Sequence, residues 1–295
     1  MKRIWKNRRK RNETLTAYGF LLPNLVGLTV FVFFPMIYAF YVSLHDWNAL
    51  TPKVFIGFDN YVEMASDKRW WASVGRTFIF TLIYVPALYG LALFFAVVLN
   101  SLKQKYQSIA RTMFLLPFAI TSVISAVIWM FLYDPRNGIF NQLLKGFGFD
   151  KQEFLGSTDQ ALVAIIVVIL WINLGYNMII FMASIKEIPR DYYEAAKIDG
   201  ATGFRAFRYI TFPLLRGTSA FILIVTMIAS FTVFDQIMVM TKGGPASATE
   251  VSVVYIYKQG FEFLNMGYAS ALAVVLFLII FVLSLAQLRL YTKKE

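Results

Sequence analysis

The chain has 295 residues, 58% hydrophobic and only 15% charged, with a mean hydropathy of +0.61, too apolar for the surface of an ordinary soluble domain. Its formal net charge is +11, but most Lys and Arg lie beside apolar runs, where membrane topology explains them better than nucleic acid does. Cysteine is absent and His45 is the only histidine, which excludes disulfides and cysteine nucleophiles and argues against a transition-metal site.

Crossing a hydrocarbon core of ~30 Å takes about 20 apolar residues as helix. Residues 1–16 form a basic N-terminal segment, "MKRIWKNRRKRN" and onward, read as a topology signal rather than a lipid-recognition element. The first apolar stretch, 17–44, is too long for a removed signal peptide and lacks a small-residue cleavage site. The second is 77–102. The third is 112–133, where Pro117 frees a backbone carbonyl near mid-span and Thr121, Ser122 and Ser125 are at hand to satisfy it. The fourth is 160–185, the fifth 217–241, interrupted only by Asp235, and the sixth 263–288. The expected fold is an all-α integral membrane protein with six transmembrane helices in one domain, 17–295; the period-2 alternation of a β-barrel is missing. With this threading nineteen Lys and Arg fall on one side and nine on the other, which places both termini and the charged segment 186–216 in the cytoplasm. The glycosylation-like Asn12-Glu13-Thr14 then lies on the wrong side and is a chance match.

The segment 186–216 predicts two short helices. Pro189 suits a first helical turn, Asp191 and Glu194 follow near the positive end of the helix dipole, and Gly200 can end the helix in the left-handed conformation. A second helix from about Thr202 to Ile210 carries Arg205 and Arg208 and is stopped by Pro213. Ala195, Ala196 and Ala201 keep the corner slim enough to enter a cleft on a partner. A solvated loop with an interfacial helix is the plain alternative.

Transport sites tend to lie at mid-depth, at broken helices with inward polar groups. That depth falls near Pro117–Ser122 in the third stretch, near Trp171, Asn173, Tyr176 and Asn177 in the fourth, and near Thr226, Ala229 and Ser230 in the fifth. Hydroxyls, amides and aromatics at one level suit a neutral polyhydroxylated ligand. Read singly, each serves equally as interhelical glue worth under about 2 kcal/mol. Asp235, a carboxylate in a span, calls for solvation from outside or for pairing with Arg76, and reads as a gating or structural residue.

The order Glu194-Ala195-Ala196, Gly200, Ile210, Pro213 resembles the cytoplasmic EAA loop of the membrane-spanning permease subunits of bacterial binding-protein-dependent ABC importers, with Phe212 where that family usually carries Leu. "LLPFAITSVISAVIWMFLYDP", "VFDQIMVMTKGGP" and "YIYKQGFEFLNMGYASALAVVLF" resemble the carbohydrate branch, the maltose- and glycerol-phosphate-type permeases. The resemblance implies that Glu194, Ala195, Ala196, Asp199 and Gly200 dock into an ATPase groove. It also implies ligand-facing positions near Phe118, Ser122, Trp171, Gly175, Thr226 and Ser230. Two ATPase subunits carrying ATP and magnesium, a second homologous permease and an extracytoplasmic solute-binding protein are the implied partners, in the inner membrane of a bacterium. The chain has no GxxxxGK[ST] phosphate-binding loop of its own and is expected to bind no cofactor. Its cargo is expected to be a sugar or oligosaccharide, or else a glycerol-phosphate-like or other polar solute. A self-sufficient transporter or channel leaves the Glu194–Pro213 pattern without a purpose, and a membrane enzyme lacks general acid–base candidates.

Overall fold

The computed structural model describes residues 8–292; Lys2, Arg3 and Lys6 of the basic N-terminal cluster, along with Lys293 and Lys294, lie outside them. Two compact units emerge, one from the chain up to Ser66 with Ile256–Val275, the other from Asp67–Tyr255 with Leu276 onward.

In the first unit, α1 (Arg8–Leu28) runs through a π turn, Thr29–Phe33, into α2 (Phe34–Val42). Only 6% of the apolar window of this rod is buried, so its hydrophobic surface is left for lipid or another chain to cover. A two-stranded ribbon follows, β1 (His45–Asp46) against β2 (Val54–Phe55), then α3 (Asp59–Ser66). Asn60 on α3 ties the turn down by donating to the Ser43 and His45 carbonyls at 2.8 and 3.1 Å.

The second unit opens with α4 (Lys68–Asn100), nine residues ahead of the expected start at 77. The cause is a cap: the Asp67 carboxylate accepts from the Arg69 and Trp70 amides at 2.9 and 3.1 Å, so the helix begins in polar sequence that hydropathy leaves out. The third apolar stretch is not a straight span. It forms α5 (Gln104–Ala119) and α6 (Ser122–Leu132), bent by 99°. Pro117 removes a donor from the last turn of α5, Ile120 and Thr121 are extended, and the Thr121 hydroxyl accepts the Ile124 amide, restarting the chain as a new helix. Among the described residues five helices are long and apolar enough to cross a bilayer, and a sixth crossing is obtained if this bent pair is one span.

After a turn in which the Asn137 and Arg136 amides bond the Asp134 carboxylate and hold its pKa below the usual range, α7 (Ile139–Gly146) leads to α8 (Ala161–Glu187). α8 is the central helix of this unit. Its Met178, Phe181, Met182 and Ile185 interlock with Ala92, Leu93, Ala96 and Leu99 of α4. Next come α9 (Arg190–Ile198), α10 (Phe204–Ala206), a π turn Phe207–Thr211 and α11 (Phe212–Leu214). Pro213 therefore does not stop the second short helix. The π turn shifts the hydrogen-bond register, so the donor that proline lacks is not called for. The fifth span is likewise divided, into α12 (Arg216–Phe231) and α13 (Asp235–Met240). α14 (Ser252–Tyr257) and α15 (Met266–Thr292) close the chain.

Candidate functional site

Two arrangements carry chemistry, both within the second unit. The first is the charged corner. α9 ends with the Gly200 amide donating to the Lys197 carbonyl (3.1 Å) and the Ala201 amide to the Ala196 carbonyl (2.7 Å). This paired closure needs a left-handed residue at its centre, and Gly200 has φ +73°. Gly203, at φ +53°, then turns the chain into the second helix, and the Tyr193 and Thr211 hydroxyls, 2.9 Å apart, brace one helix against the other. Glu194, Ala195, Asp199 and Gly200 are exposed, whereas Ala196 is buried. The methyl of Ala196 thus packs inward and is not itself available to a partner. Beside Glu194 the helix leaves Tyr192 54% and Ile198 88% exposed. Ile198 is thus among the barest large apolar side chains of the described residues.

The second arrangement is a polar cavity of about 190 Å3 between α4, α8 and the α12–α13 break. Of the mid-depth residues expected from sequence, it brings together Asn173, Ala229 and Ser230; it also includes Asp235, expected as a gating or structural residue, and adds Tyr84, Thr232 and Gln236. Ser230 donates to the Met227 carbonyl (2.6 Å), so the Thr81 hydroxyl 2.8 Å away is the donor in their pair. Asn173 donates to the Ile169 carbonyl (2.9 Å), and Tyr84 lines the same cavity. Asp235 is exposed at the first position of α13, because the helix breaks before it. Arg76 donates to the Glu250 carbonyl at 3.4 Å instead of pairing with Asp235, which leaves solvation as the way this carboxylate is satisfied. The cavity is smaller than the ~300–1,000 Å3 usual for organic ligands; it is a notch with hydroxyls, two amides and a carboxylate, not a closed sugar site.

The remaining expected positions disperse. Phe118 stacks on Tyr176, centroids 4.8 Å apart and planes within 10°, both rings more than 40% exposed. Ser122 is half-buried in the first turn of α6. Trp171 meets Trp129 edge-on and lines a separate, mainly apolar cavity with Pro117. Gly175 is at a helix crossing: a Cβ there would lie 1.9 Å from the Phe114 carbonyl oxygen, so the glycine is explained by close approach of α5 to α8. Asn177 and Thr226 are buried and spend their donors on their own helices, at the Asn173 (3.0 Å) and Ile222 (2.6 Å) carbonyls.

A polar cluster that sequence reasoning missed surrounds the loop at 242–250. Glu250, whose side chain has no exposed surface, accepts two parallel bonds from Arg69 at 2.7 and 2.8 Å. The Thr77 hydroxyl meets that of Ser252 at 2.9 Å, and Tyr255 donates to Asp67 at 2.6 Å. The partners lie some 180 positions apart in the chain, so neither periodicity nor local spacing signals them.

The sequence from 62 to 294 matches the family described as binding-protein-dependent transport system inner membrane component, and this chain belongs to that family. It is therefore a transport component and a multi-pass membrane protein. The sn-glycerol-3-phosphate transport system permease protein UgpA of Brucella abortus is 35% identical, over 95% of this chain and 96% of that one. The trehalose/maltose transport system permease protein MalF of Thermococcus litoralis is 32% identical, over 95% of each. In fold, the chain is similar to one in the crystal structure of a bacterial alginate ABC transporter in complex with an alginate pentasaccharide-bound periplasmic protein (TM-score 0.84, 24% identity, 97% and 96% covered).

Proposed function

We propose that this chain is one of two permease subunits in an ATP-driven importer of the bacterial inner membrane, and that it passes a sugar or oligosaccharide from an extracytoplasmic binding protein into the cytoplasm. The observation that carries this reading is the exposed corner at Glu194–Gly200, with its bare Ile198 and glycine-locked closure. On this reading residues 186–216 are the coupling loop, and Glu194, Ala195, Asp199 and Gly200 face the groove of a separate ATPase, two copies of which hold ATP and magnesium. Ala196 supports them from inside. Both termini are cytoplasmic, in keeping with nineteen basic residues against nine, and 17–295 acts as a single permease domain behind the basic segment 1–16. The substrate path runs past the Asn173–Ser230 notch and the Phe118–Tyr176 platform, whose hydroxyl, amide and ring faces match the two sides of a sugar ring. A homologous second permease supplies the facing wall. Ser122, Trp171, Gly175, Asn177 and Thr226 shape the helices along it.

The 35% identity to UgpA supports a second cargo, a glycerol-phosphate-like solute; basic residues near the path would be required for it, and the notch contains none. The test is co-purification with the ATPase and transport in reconstituted vesicles, comparing the parent with Glu194→Lys and Gly200→Pro. Loss of ATPase retention and transport in both supports the reading. Full retention and transport in both would sink it. Stimulation of ATP hydrolysis by binding protein loaded with sugar or with glycerol 3-phosphate separates the two cargoes.

A further inference from the structure

The turn after α6 leads into α7 (Ile139–Gly146), a helix that neither the charged corner nor the substrate path uses. At about 100° per residue its side chains fall into three flanks. Phe140, Asn141 and Leu144 face the protein; Asn141 is buried, and Phe140 and Leu144 are half-buried. Gln142 and Lys145 form a polar flank, and both are exposed. The third flank is Ile139 and Leu143, each 54% exposed, continued by Phe147 at 79%. A helix packed on a soluble protein has two environments, the core and water. An open apolar flank beside a polar one calls for a third, the boundary of a bilayer.

The roll of α7 is fixed. The Asn141 side chain donates to the Gln152 carbonyl at 2.8 Å and accepts the Gln152 amide at 2.9 Å, pinning the helix to the returning chain. Gln142 donates to the Asn137 carbonyl at 2.9 Å, and a Cβ on Gly138 would lie 2.4 Å from the Asp134 carbonyl oxygen, so the turn before the helix is tightly closed. The apolar flank therefore cannot roll inward without breaking these bonds. The level of α7 is fixed as well. The Phe140 ring centroid lies 5.5 Å from that of Trp129 and 5.3 Å from that of Tyr133, at the end of α6. The Tyr133 hydroxyl donates in turn to the Ala164 carbonyl in the first turn of α8, at 3.1 Å. α7 thus sits where one span ends and the next begins. The adjoining turns of those spans direct Phe131 and Val163 outward, so the open flank of α7 continues the surface that the spans offer to lipid.

We propose that α7 is an interfacial helix, seated between headgroups and acyl chains with Ile139, Leu143 and Phe147 toward the hydrocarbon and Gln142 and Lys145 toward water. On the topology proposed above this is the outer leaflet. The proposal rests on the chain being a multi-pass membrane protein and on no reading of its cargo or its ATPase. Phe140 bears on Trp129, whose ring meets that of Trp171 at 5.7 Å. The lipid contact therefore holds α6, the second half of the bent pair, at a set depth against α8.

The chain has no cysteine, so single cysteines can carry spin labels. The test places them at Ile139→Cys, Leu143→Cys, Gln142→Cys and Lys145→Cys, all exposed positions, in the full-length chain in nanodiscs of phosphatidylcholine and phosphatidylglycerol. Collision rates are measured with oxygen, which concentrates in hydrocarbon, and with a water-soluble nickel chelate. Labels at 139 and 143 should collide chiefly with oxygen, at a depth of ~5–10 Å into the boundary, and those at 142 and 145 chiefly with the chelate. Adding Ile139→Asp to Leu143→Cys should shift that label toward the chelate, with loss of depth. Chelate contact at 139 and 143 overturns the proposal and leaves the flank to water or to an extracytoplasmic protein. Shielding of 139 and 143 from both reagents overturns it in favour of a second protein chain, and one common profile at all four positions overturns the division into flanks.

Discussion

The loop at 242–250 and the corner at 190–214 are both charged and both punctuated by glycine, yet the fold treats them oppositely. In the loop, Glu250 is fully buried and held by Arg69, Thr249 bonds both Thr241 (2.7 Å) and the Gly244 carbonyl (2.7 Å), and Ser252 is tied to Thr77. Its polar groups are satisfied at home. At the corner, Glu194 and Asp199 stand in the open beside an 88% exposed Ile198. Charge that closes on its own chain builds a rigid support. Charge set beside bare hydrophobic surface, on the proposed coupling, is addressed to the ATPase.

Substitutions can break that contrast, and Arg69→Ala should do so most severely. It leaves the Glu250 carboxylate buried without its guanidinium, at a cost of about 3 kcal/mol, read as a lower unfolding midpoint in detergent. Glu250→Gln should cost only about 1 kcal/mol, because Arg69 is 47% exposed and regains water. If the two lose equal stability, the loop is not held by a desolvated pair. Gly175→Ala comes next, at about 2 kcal/mol, since a methyl driven into the Phe114 backbone forces α5 from α8; an unchanged midpoint would mean the crossing is looser than its geometry. Gly200→Ala should cost about 1 kcal/mol, the strain of a side chain at φ +73°. Glu194→Lys should be smallest on this scale, within about 0.5 kcal/mol, while removing stimulation of the ATPase. A large fall in midpoint for Glu194→Lys would move the corner into the class of the loop.

Much of this was legible in residue order. Runs of uncharged residues located the spans, because a bilayer demands length and apolarity and little else. Glycine at 200, after an acidic first turn, located the corner, because few residues tolerate left-handed backbone. Pro117 and Asp235 marked the places of the two breaks, but the 99° bend and the restart of each helix were hidden, because hydropathy is blind to backbone direction. Of the mid-depth residues, Asn173, Ala229 and Ser230 line one cavity. Asn177 and Thr226 do not, because depth along a helix says nothing of which way a side chain faces. Arg69 and Glu250 were illegible, as a pairing across some 180 positions leaves no local trace.

The corner at Gly200 is closed by donors and acceptors that all belong to the main chain. The closure itself is therefore indifferent to the side chains at the tip, and on the proposed coupling it would work as a crank and not as a hinge. On the proposed coupling, displacement applied at α9 is delivered through residues 204–214 to the base of α12 without being lost in bending. Sequence can drift at the tip, retuning grip and partner, while the throw of the crank stays the same.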